Sequence, residues 1–277
     1  MLDGYADRWA LVTGASSGIG AEFATVLAER GMHLVLASRR SEPLNQLAQE
    51  LHTKHGTRCE IFCADLSESA AAANLVNHLA SKNLTIELLV NNAGFGLVGE
   101  VETTDVERVM QMIRLNIGTL TELTYRLLPG MIARRHGAVI NVASVAAFQP
   151  VAYMGVYSAT KSYVLHFTEA LWAETRDKGV TVMALCPGVT RTAFFDVAGA
   201  PGWLKKQRSQ TPRQVVKAAL KGLEKRRQYV VSGMKNYLLS LAGRVGSRKI
   251  VVTESMKYFR PKSNIGPTDE PRSDKPT

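Results

Sequence analysis

Tyr157 and Lys161 stand four residues apart in the stretch GVYSATKSYVLHF, residues 155–167, whose small and apolar residues are typical of a buried helix. Side chains at that spacing are neighbours on a helix. Lowering a phenol pKa from ~10 to about 7 takes roughly 4 kcal/mol, which one nearby ammonium in a partly desolvated site can supply. The pair therefore predicts a transferable phenol proton; the alternative is a surface tyrosine beside a solvated lysine.

A glycine-rich turn, TGASSGIG at 13–20, separates the first predicted strand from the first predicted helix. Glycines allow a tight turn and a close backbone approach, and a helix N-terminus favours an anionic pyrophosphate. We favour a dinucleotide-binding turn over a simple strand–helix connection. Its predicted cofactor-binding residues are Gly14, Ser16, Ser17, Gly18, Ile19 and Gly20.

The second predicted strand ends in Ser38, Arg39 and Arg40, where a carboxylate would bind the ribose 2′-hydroxyl of NAD. Arginine instead binds phosphate through a planar fork. These three residues therefore predict NADP(H) as the cofactor, with Arg39 as the partner of the 2′-phosphate. The alternative is a solvated arginine pair in a loop.

Strand and helix patterns alternate along the chain, and the strands are continuous apolar runs. This pattern is typical of parallel strands covered by helices on both faces. We predict an α/β fold with a doubly wound, Rossmann-type parallel sheet. The predicted units are one domain over 1–233, a substrate lid at about 190–210, a basic helical extension over 234–260 and a disordered tail over 261–277.

Charge and cysteine content narrow the classes of partner and compartment. The chain of 277 residues has a net charge of +10, and all of this positive charge comes from its C-terminal quarter. Residues 205–277 hold 18 Lys and Arg against 5 Asp and Glu, so the main fold is not basic. Nucleic-acid binding by the main fold is therefore not expected. Three cysteines outside any metal-ligand spacing, with no signal peptide and no spanning segment, predict a cytoplasmic protein without a metal site. The basic extension either contacts a membrane surface peripherally or packs on the domain.

Taken together, these motifs resemble the short-chain dehydrogenase/reductase family over roughly residues 8–232. The matching segments are TGASSGIG at 13–20, NNAG at 91–94, LNIGT with Asn116, NVASVAA with Ser144, Tyr157 with Lys161, and PGVTRT at 187–192. The subgroup that the chain resembles reduces ketones and 3-oxoacyl groups, and hydroxysteroid dehydrogenases are nearby.

The resemblance implies roles for individual residues. Tyr157 would be the general acid/base and Lys161 would also bind the nicotinamide ribose, while Asn116 would hold a relay water and Ser144 would bind the substrate oxygen. It also implies homo-oligomers built through two long helices, here about 104–134 and 155–177. Further implied cofactor-binding residues are Asp65, Leu66, Asn91, Ala93, Gly94, Pro187, Gly188, Thr190 and Thr192.

Apolar residues surround the predicted catalytic pair, which favours a lipophilic carbonyl substrate over a sugar. We expect reduction of a ketone or 3-oxoacyl group. The alternatives are NADP-linked oxidation of a hydroxysteroid or similar alcohol, and a non-catalytic NADP(H)-sensing or scaffold protein. The predicted substrate residues are Ala146, Phe148, Tyr153, Met154, Phe194 and Phe195.

Overall fold

Seven strands form one sheet in the computed structural model, which describes residues 2–245 and 247–260. They are β1 (Trp9–Thr13), β2 (His33–Ser38), β3 (Cys59–Cys63), β4 (Ile86–Asn91), β5 (Gly137–Val142), β6 (Val180–Cys186) and β7 (Tyr229–Val231). Every neighbouring pair is parallel, in the order β3-β2-β1-β4-β5-β6-β7. The predicted doubly wound parallel sheet is confirmed, and the strand order reverses between β1 and β4, where such sheets bind ligands.

Helices cover both faces of the sheet. They are α1 (Gly18–Glu29), α2 (Ser41–His55), α3 (Ala71–Ser81), α4 (Val106–Ile113), α5 (Leu120–Ala133), α6 (Gly155–Thr175), α7 (Phe194–Val197), α8 (Pro212–Glu224), α9 (Met234–Val245) and α10 (Arg248–Phe259). Helices α1, α2 and α8 bury their apolar sides in one core, and α3, α5 and α6 contribute to the core on the other face. The strands are continuous apolar runs because both of their faces are covered.

The long helix predicted over about 104–134 is not a regular α-helix throughout. A π-helical turn, Arg114–Thr119, joins α4 to α5. Such wide turns are rare and occur frequently at functional sites. This turn contains Asn116, one of the predicted catalytic residues.

The extension predicted as helical over 234–260 contains two helices, α9 and α10, rather than one. The tail predicted as disordered, 261–277, lies outside the described residues. Within the described part of the chain, every helix is too short or too polar to cross a bilayer.

Candidate active site

The predicted catalytic residues converge beyond the carboxyl end of β5. Ser144 follows that strand by two residues in extended backbone, and its hydroxyl accepts a hydrogen bond from the Ala146 N–H at 3.1 Å. The same hydroxyl neighbours Tyr157 of α6 and lowers the pKa of its phenol. The carboxyl end of β5 and helix α6 therefore bring together the Ser144 hydroxyl and the Tyr157 phenol, so that both can bind one substrate oxygen.

A second network positions Lys161 and Asn116 behind this pair. The Lys161 Nζ donates to the Val142 carbonyl at 2.8 Å. The Asn116 amide donates to the Thr160 hydroxyl at 3.1 Å and to the Phe95 carbonyl at 3.0 Å. Asn116, Thr160 and Lys161 are each at most 5% exposed, so these hydrogen bonds are shielded from solvent.

The pKa of Tyr157 differs from the value expected from the sequence, and the pKa of Lys161 is also shifted. Burial raises the pKa of Tyr157 to about 12, although the Ser144 hydroxyl lowers it in part. Burial also lowers the pKa of Lys161 to about 8. Its ammonium lies 5.8 Å from the centre of the Tyr157 ring and bonds to a backbone carbonyl. The pKa of Tyr157 is therefore not near the expected 7, because desolvation dominates its titration; the phenol carries its proton at neutral pH and can donate it.

The glycine-rich turn is packed too tightly for side chains. A Cβ added to Gly20 would lie 2.2 Å from the Gly14 carbonyl oxygen, so only glycine lets α1 start this close to β1. Gly14 itself has a φ of +67°, in the left-handed region. Ile19 packs against the core beneath the turn.

Asn92, which sequence reasoning missed, ties this turn to β4. Its amide donates to the Thr13 carbonyl at 2.9 Å, and the backbone N–H groups of Asn92 and Ala93 donate to the Thr13 hydroxyl at 3.0 Å. An asparagine directly after a buried strand and facing a glycine turn was the available signal. The predicted residue Gly94 lies on the other side, where an added Cβ would approach Asn116 Oδ1 to 2.8 Å.

Both predicted arginines lie beside the turn. Arg40 donates to the hydroxyls of Ser16 and Ser17, each at 3.1 Å, and the Ser38 hydroxyl donates to Ser16 at 2.8 Å. Arg39 instead contacts the Asp65 carboxylate at 3.4 Å. Arg40 thus lies beside the serines of the turn and Arg39 beside Asp65, and the pairing of Arg39 with a 2′-phosphate stays a prediction.

Asp65 is fixed at the end of β3. Its carboxylate accepts from the Ser67 N–H at 2.9 Å and from the Ser67 hydroxyl at 2.7 Å. Burial raises the pKa of Asp65, but these bonds and the Arg39 guanidinium outweigh it and hold the pKa below its usual value. Asp65 is therefore a fixed anion and acceptor at physiological pH.

The side chains of two predicted cofactor-binding residues point elsewhere. The Asn91 amide is buried and donates to Asn141 at 2.9 Å and to Thr124 at 3.0 Å, bridging β4, β5 and α5. Leu66 is buried in the apolar core on the α3 side of the sheet. The assignment of Asn91 and Leu66 to the cofactor site stays a prediction, and these side chains are held within the fold.

The PGVTRT segment faces the turn from the opposite side. An added Cβ at Gly18 would lie 3.0 Å from the Thr192 methyl group, so Thr192 approaches the N-terminus of α1. The Thr190 hydroxyl donates to the Gly188 carbonyl at 2.9 Å, and the Pro187 carbonyl accepts from the Val145 N–H at 3.0 Å. The segment is thereby held between α1 and the Ser144 loop.

Aromatic residues from the segment predicted as a lid, about 190–210, cover the Tyr157 ring. The Phe194 ring lies 5.3 Å from the Tyr157 ring, measured between centres, and packs edge-on against Phe195 at 5.2 Å. Met154 and Ala146 belong to the same apolar cluster as Tyr157. Gly96 makes the contact possible, because an added Cβ would lie 2.8 Å from the Phe194 ring.

The remaining two predicted substrate residues, Tyr153 and Phe148, lie in different places relative to Tyr157. Tyr153, directly before Met154, has a φ of +62°, a strained conformation for a tyrosine and one that clusters at functional sites. Phe148 instead packs against Tyr229 of β7, at 5.8 Å between ring centres, in a separate apolar cluster. Phe148 thus lies in a different apolar cluster from Tyr157, and its assignment to the substrate site stays a prediction.

Comparison with known proteins agrees with the family resemblance seen in the sequence motifs. Residues 8–200 match the family model described as short chain dehydrogenase. The chain is 33% identical over 216 residues to the very-long-chain 3-oxoacyl-CoA reductase of Anas platyrhynchos, covering 76% of this chain and 67% of that protein.

Solved structures extend the likeness to three dimensions. A short-chain dehydrogenase from Sphingobium yanoikuyae in complex with NADPH superposes with a TM-score of 0.78 at 32% identity, covering 86% of this chain and 93% of that one. A 7beta-hydroxysteroid dehydrogenase superposes with a TM-score of 0.83 at 27% identity, covering 92% of this chain and 98% of that one. The second alignment thus leaves only a small part of this chain unmatched.

Proposed function

The chain belongs to the short-chain dehydrogenase family and is an oxidoreductase, and on that premise we propose that it uses NADPH to reduce a lipophilic ketone or 3-oxoacyl group to the alcohol. The observation that carries this proposal is the buried Tyr157 phenol, which neighbours Ser144 and is covered by the apolar Phe194 ring. The glycine turn and the arginines beside it fit a dinucleotide phosphate, since they combine a close backbone approach with positive charge.

In the proposed mechanism, NADPH supplies the hydride, and the protein supplies the proton and the geometry. The Ser144 hydroxyl and the Tyr157 phenol both donate to the substrate oxygen. Tyr157 then transfers its proton to that oxygen as negative charge develops there. Lys161 stabilises the resulting phenolate, and Asn116 keeps Lys161 and α6 in position through Thr160.

Removing the two guanidiniums beside the glycine turn tests the cofactor assignment. We expect the double variant Arg39→Ala/Arg40→Ala to raise the Kd for NADPH by about 100-fold, because two charge-assisted hydrogen bonds to the 2′-phosphate are lost. The Kd for NADH should change less than about threefold, since NADH has no such phosphate. Fluorescence titration with both nucleotides measures the two constants.

Arg126→Ala is the matched control, since Arg126 is a surface arginine paired with Glu122 on α5, away from the turn. Equal weakening of NADPH and NADH in the double variant would contradict the assignment of NADP(H).

The substrate class is inferred from the lid and from the relatives. Phe194, Phe195 and Met154 present an apolar surface next to Tyr157. The 3-oxoacyl-CoA reductase relative is named for a lipophilic carbonyl substrate, and the high coverage of the 7beta-hydroxysteroid dehydrogenase structure favours oxidation of a hydroxysteroid as the second candidate. A screen of NADPH consumption over 3-oxoacyl thioesters, steroids and simple ketones decides between them. Tight NADPH binding with no turnover across the screen would favour the non-catalytic alternative.

We extend the proposal to a homo-oligomer built through α5 and α6. Tyr125 is 63% exposed and stacks on Phe167 at 6.0 Å, and Tyr163 stacks on the same ring at 5.6 Å. Three aligned aromatic rings on a surface are typical of an interface with another protein. Sedimentation equilibrium of wild type and Tyr125→Glu tests this, and an unchanged mass would contradict it.

A peripheral membrane contact through α9 is also proposed. This helix turns polar residues inward: the Asn236 amide donates to the Ser232 carbonyl at 2.6 Å, and Ser240 is buried. Its outward side carries Met234, Leu238 and Leu239, each at least 57% exposed. The basic composition of residues 205–277 favours an anionic lipid surface as the partner. A cytoplasmic location remains a prediction.

For this contact we expect Leu238→Asp/Leu239→Asp to lower co-sedimentation with phosphatidylserine-containing vesicles by roughly tenfold, because two apolar side chains no longer enter the interface. Val101→Asp is the control, as Val101 is 93% exposed and lies outside the extension. Equal pelleting of the two variants would contradict a lipid contact at this face.

A further inference from the structure

The last described turn of the chain packs on the substrate lid. The Phe259 ring, at the end of α10, stacks on Trp203 at 5.1 Å between centres and on Phe195 at 6.4 Å. Trp203 and Phe195 are themselves only 4.3 Å apart, and the Trp203 indole N–H donates to the Tyr258 carbonyl at 3.0 Å. The lid therefore rests on α10 through three rings and one hydrogen bond.

This aromatic group is continuous with the catalytic tyrosine. Phe195 contacts Phe194, and Phe194 lies on the Tyr157 ring. Phe259 also packs directly against the apolar cluster that contains Tyr157 and Met154. A substrate that displaces Phe194 from the phenol thus meets the wall that Phe259 forms.

Helix α10 is anchored on the catalytic side as well. The Ser255 hydroxyl, which is 7% exposed, accepts a hydrogen bond from the Ala152 N–H at 2.9 Å. Ala152 precedes Tyr153, the residue whose backbone is strained, and Tyr153 accepts from the Gly99 N–H at 3.0 Å. One helix therefore holds both the lid and the loop that leads into α6.

We propose that Phe259 is a specificity-determining residue, which latches the lid and forms the far apolar wall of the substrate site. The inference rests on the proposed reductase function. It assigns to this chain carbonyl substrates whose long or polycyclic apolar group reaches beyond the lid to α10. A small ketone, which occupies only the space next to Tyr157, does not contact this wall.

The test compares Phe259→Ala with Ile250→Ala in the full chain. Ile250 lies on the same helix but is 64% exposed, so it serves as the matched control. For a long-chain 3-oxoacyl thioester we expect Phe259→Ala to raise KM about tenfold, because an aromatic wall is lost. The kcat/KM for a small ketone such as butanone should change less than about twofold, since that substrate does not reach the wall.

The rate of tryptic cleavage within residues 190–210 reports how firmly Phe259 holds the lid, and this measurement does not require enzyme activity. We expect Phe259→Ala to be cut there several-fold faster than wild type, and Ile250→Ala at the wild-type rate. Phe259→Leu, which keeps an apolar side chain, should be cleaved at a rate between those of Phe259→Ala and wild type. Such a graded rate would exclude general misfolding as the cause of faster cleavage.

Unchanged cleavage in Phe259→Ala, or equal losses of kcat/KM on the small and the large substrate, would overturn the proposal. If wild type reduces no carbonyl at all, the proposed function fails, and the cleavage rates alone decide whether Phe259 latches the lid.

Discussion

Replacing Tyr157 with phenylalanine is expected to lower kcat for carbonyl reduction by about 10³-fold, because the variant lacks the proton that the product alcohol requires. The ring and its packing against Phe194 remain, so the fold and the lid should be preserved. The Kd for NADPH should stay within about twofold of wild type, since in our proposal the glycine turn and its neighbours provide most of the binding. Single-turnover reduction and fluorescence titration measure the two quantities.

Tyr163→Phe is the matched control for this experiment. Tyr163 lies on the same helix and is 37% exposed, and its hydroxyl is hydrogen-bonded to the Thr121 hydroxyl at 3.0 Å. Its removal should leave kcat unchanged. If Tyr157→Phe kept more than about a tenth of wild-type kcat, another proton donor would have to replace Tyr157 in the mechanism.

Gly20→Ala is expected to have the largest effect on cofactor binding. The added methyl group would lie 2.2 Å from the Gly14 carbonyl and 2.5 Å from the Asn92 amide, so α1 must move away from β1. We expect a loss of roughly 3 kcal/mol in the free energy of unfolding and an NADPH affinity at least about 100-fold weaker. Denaturant unfolding and NADPH titration measure these effects.

The control for this substitution is Gly130→Ala in α5. Gly130 is exposed, and the nearest atom to an added Cβ is the end of the Arg134 side chain at 3.4 Å. Alanine is the better helix former, so this variant should be as stable as wild type or up to about 1 kcal/mol more stable. Similar losses in both variants would show that the tight contact at Gly20 is not what the turn requires.

The sheet, and the elements that carry the predicted catalytic residues, were accessible from sequence because each depends on local patterns. Buried strands such as β4 and β6 are uninterrupted apolar runs, and the glycine turn follows β1 directly. The spacing of Tyr157 and Lys161 places both on α6. Their convergence with Ser144 follows from the rule that ligands bind at the carboxyl ends of parallel strands.

Other features depend on contacts between distant segments and left little trace in the sequence. The π-helical turn at Asn116 changes the register of a helix without changing its composition. Phe148 and Phe194 are both aromatic residues near the site in the chain, yet only Phe194 packs on Tyr157. The pKa of Tyr157 was misjudged because a spacing argument gives the neighbouring charge but not the depth of burial.

The bonds between Asn92 and the glycine turn also set the order in which the protein can become functional during synthesis. The Asn92 amide donates to the Thr13 carbonyl across 79 residues, and β1 pairs with β4 as well as with β2. A nascent chain that ends before β4 therefore has the contacts from β2 to the turn but lacks those from Asn92. Because long-range parallel pairing forms slowly, we expect nucleotide affinity to emerge late on the ribosome.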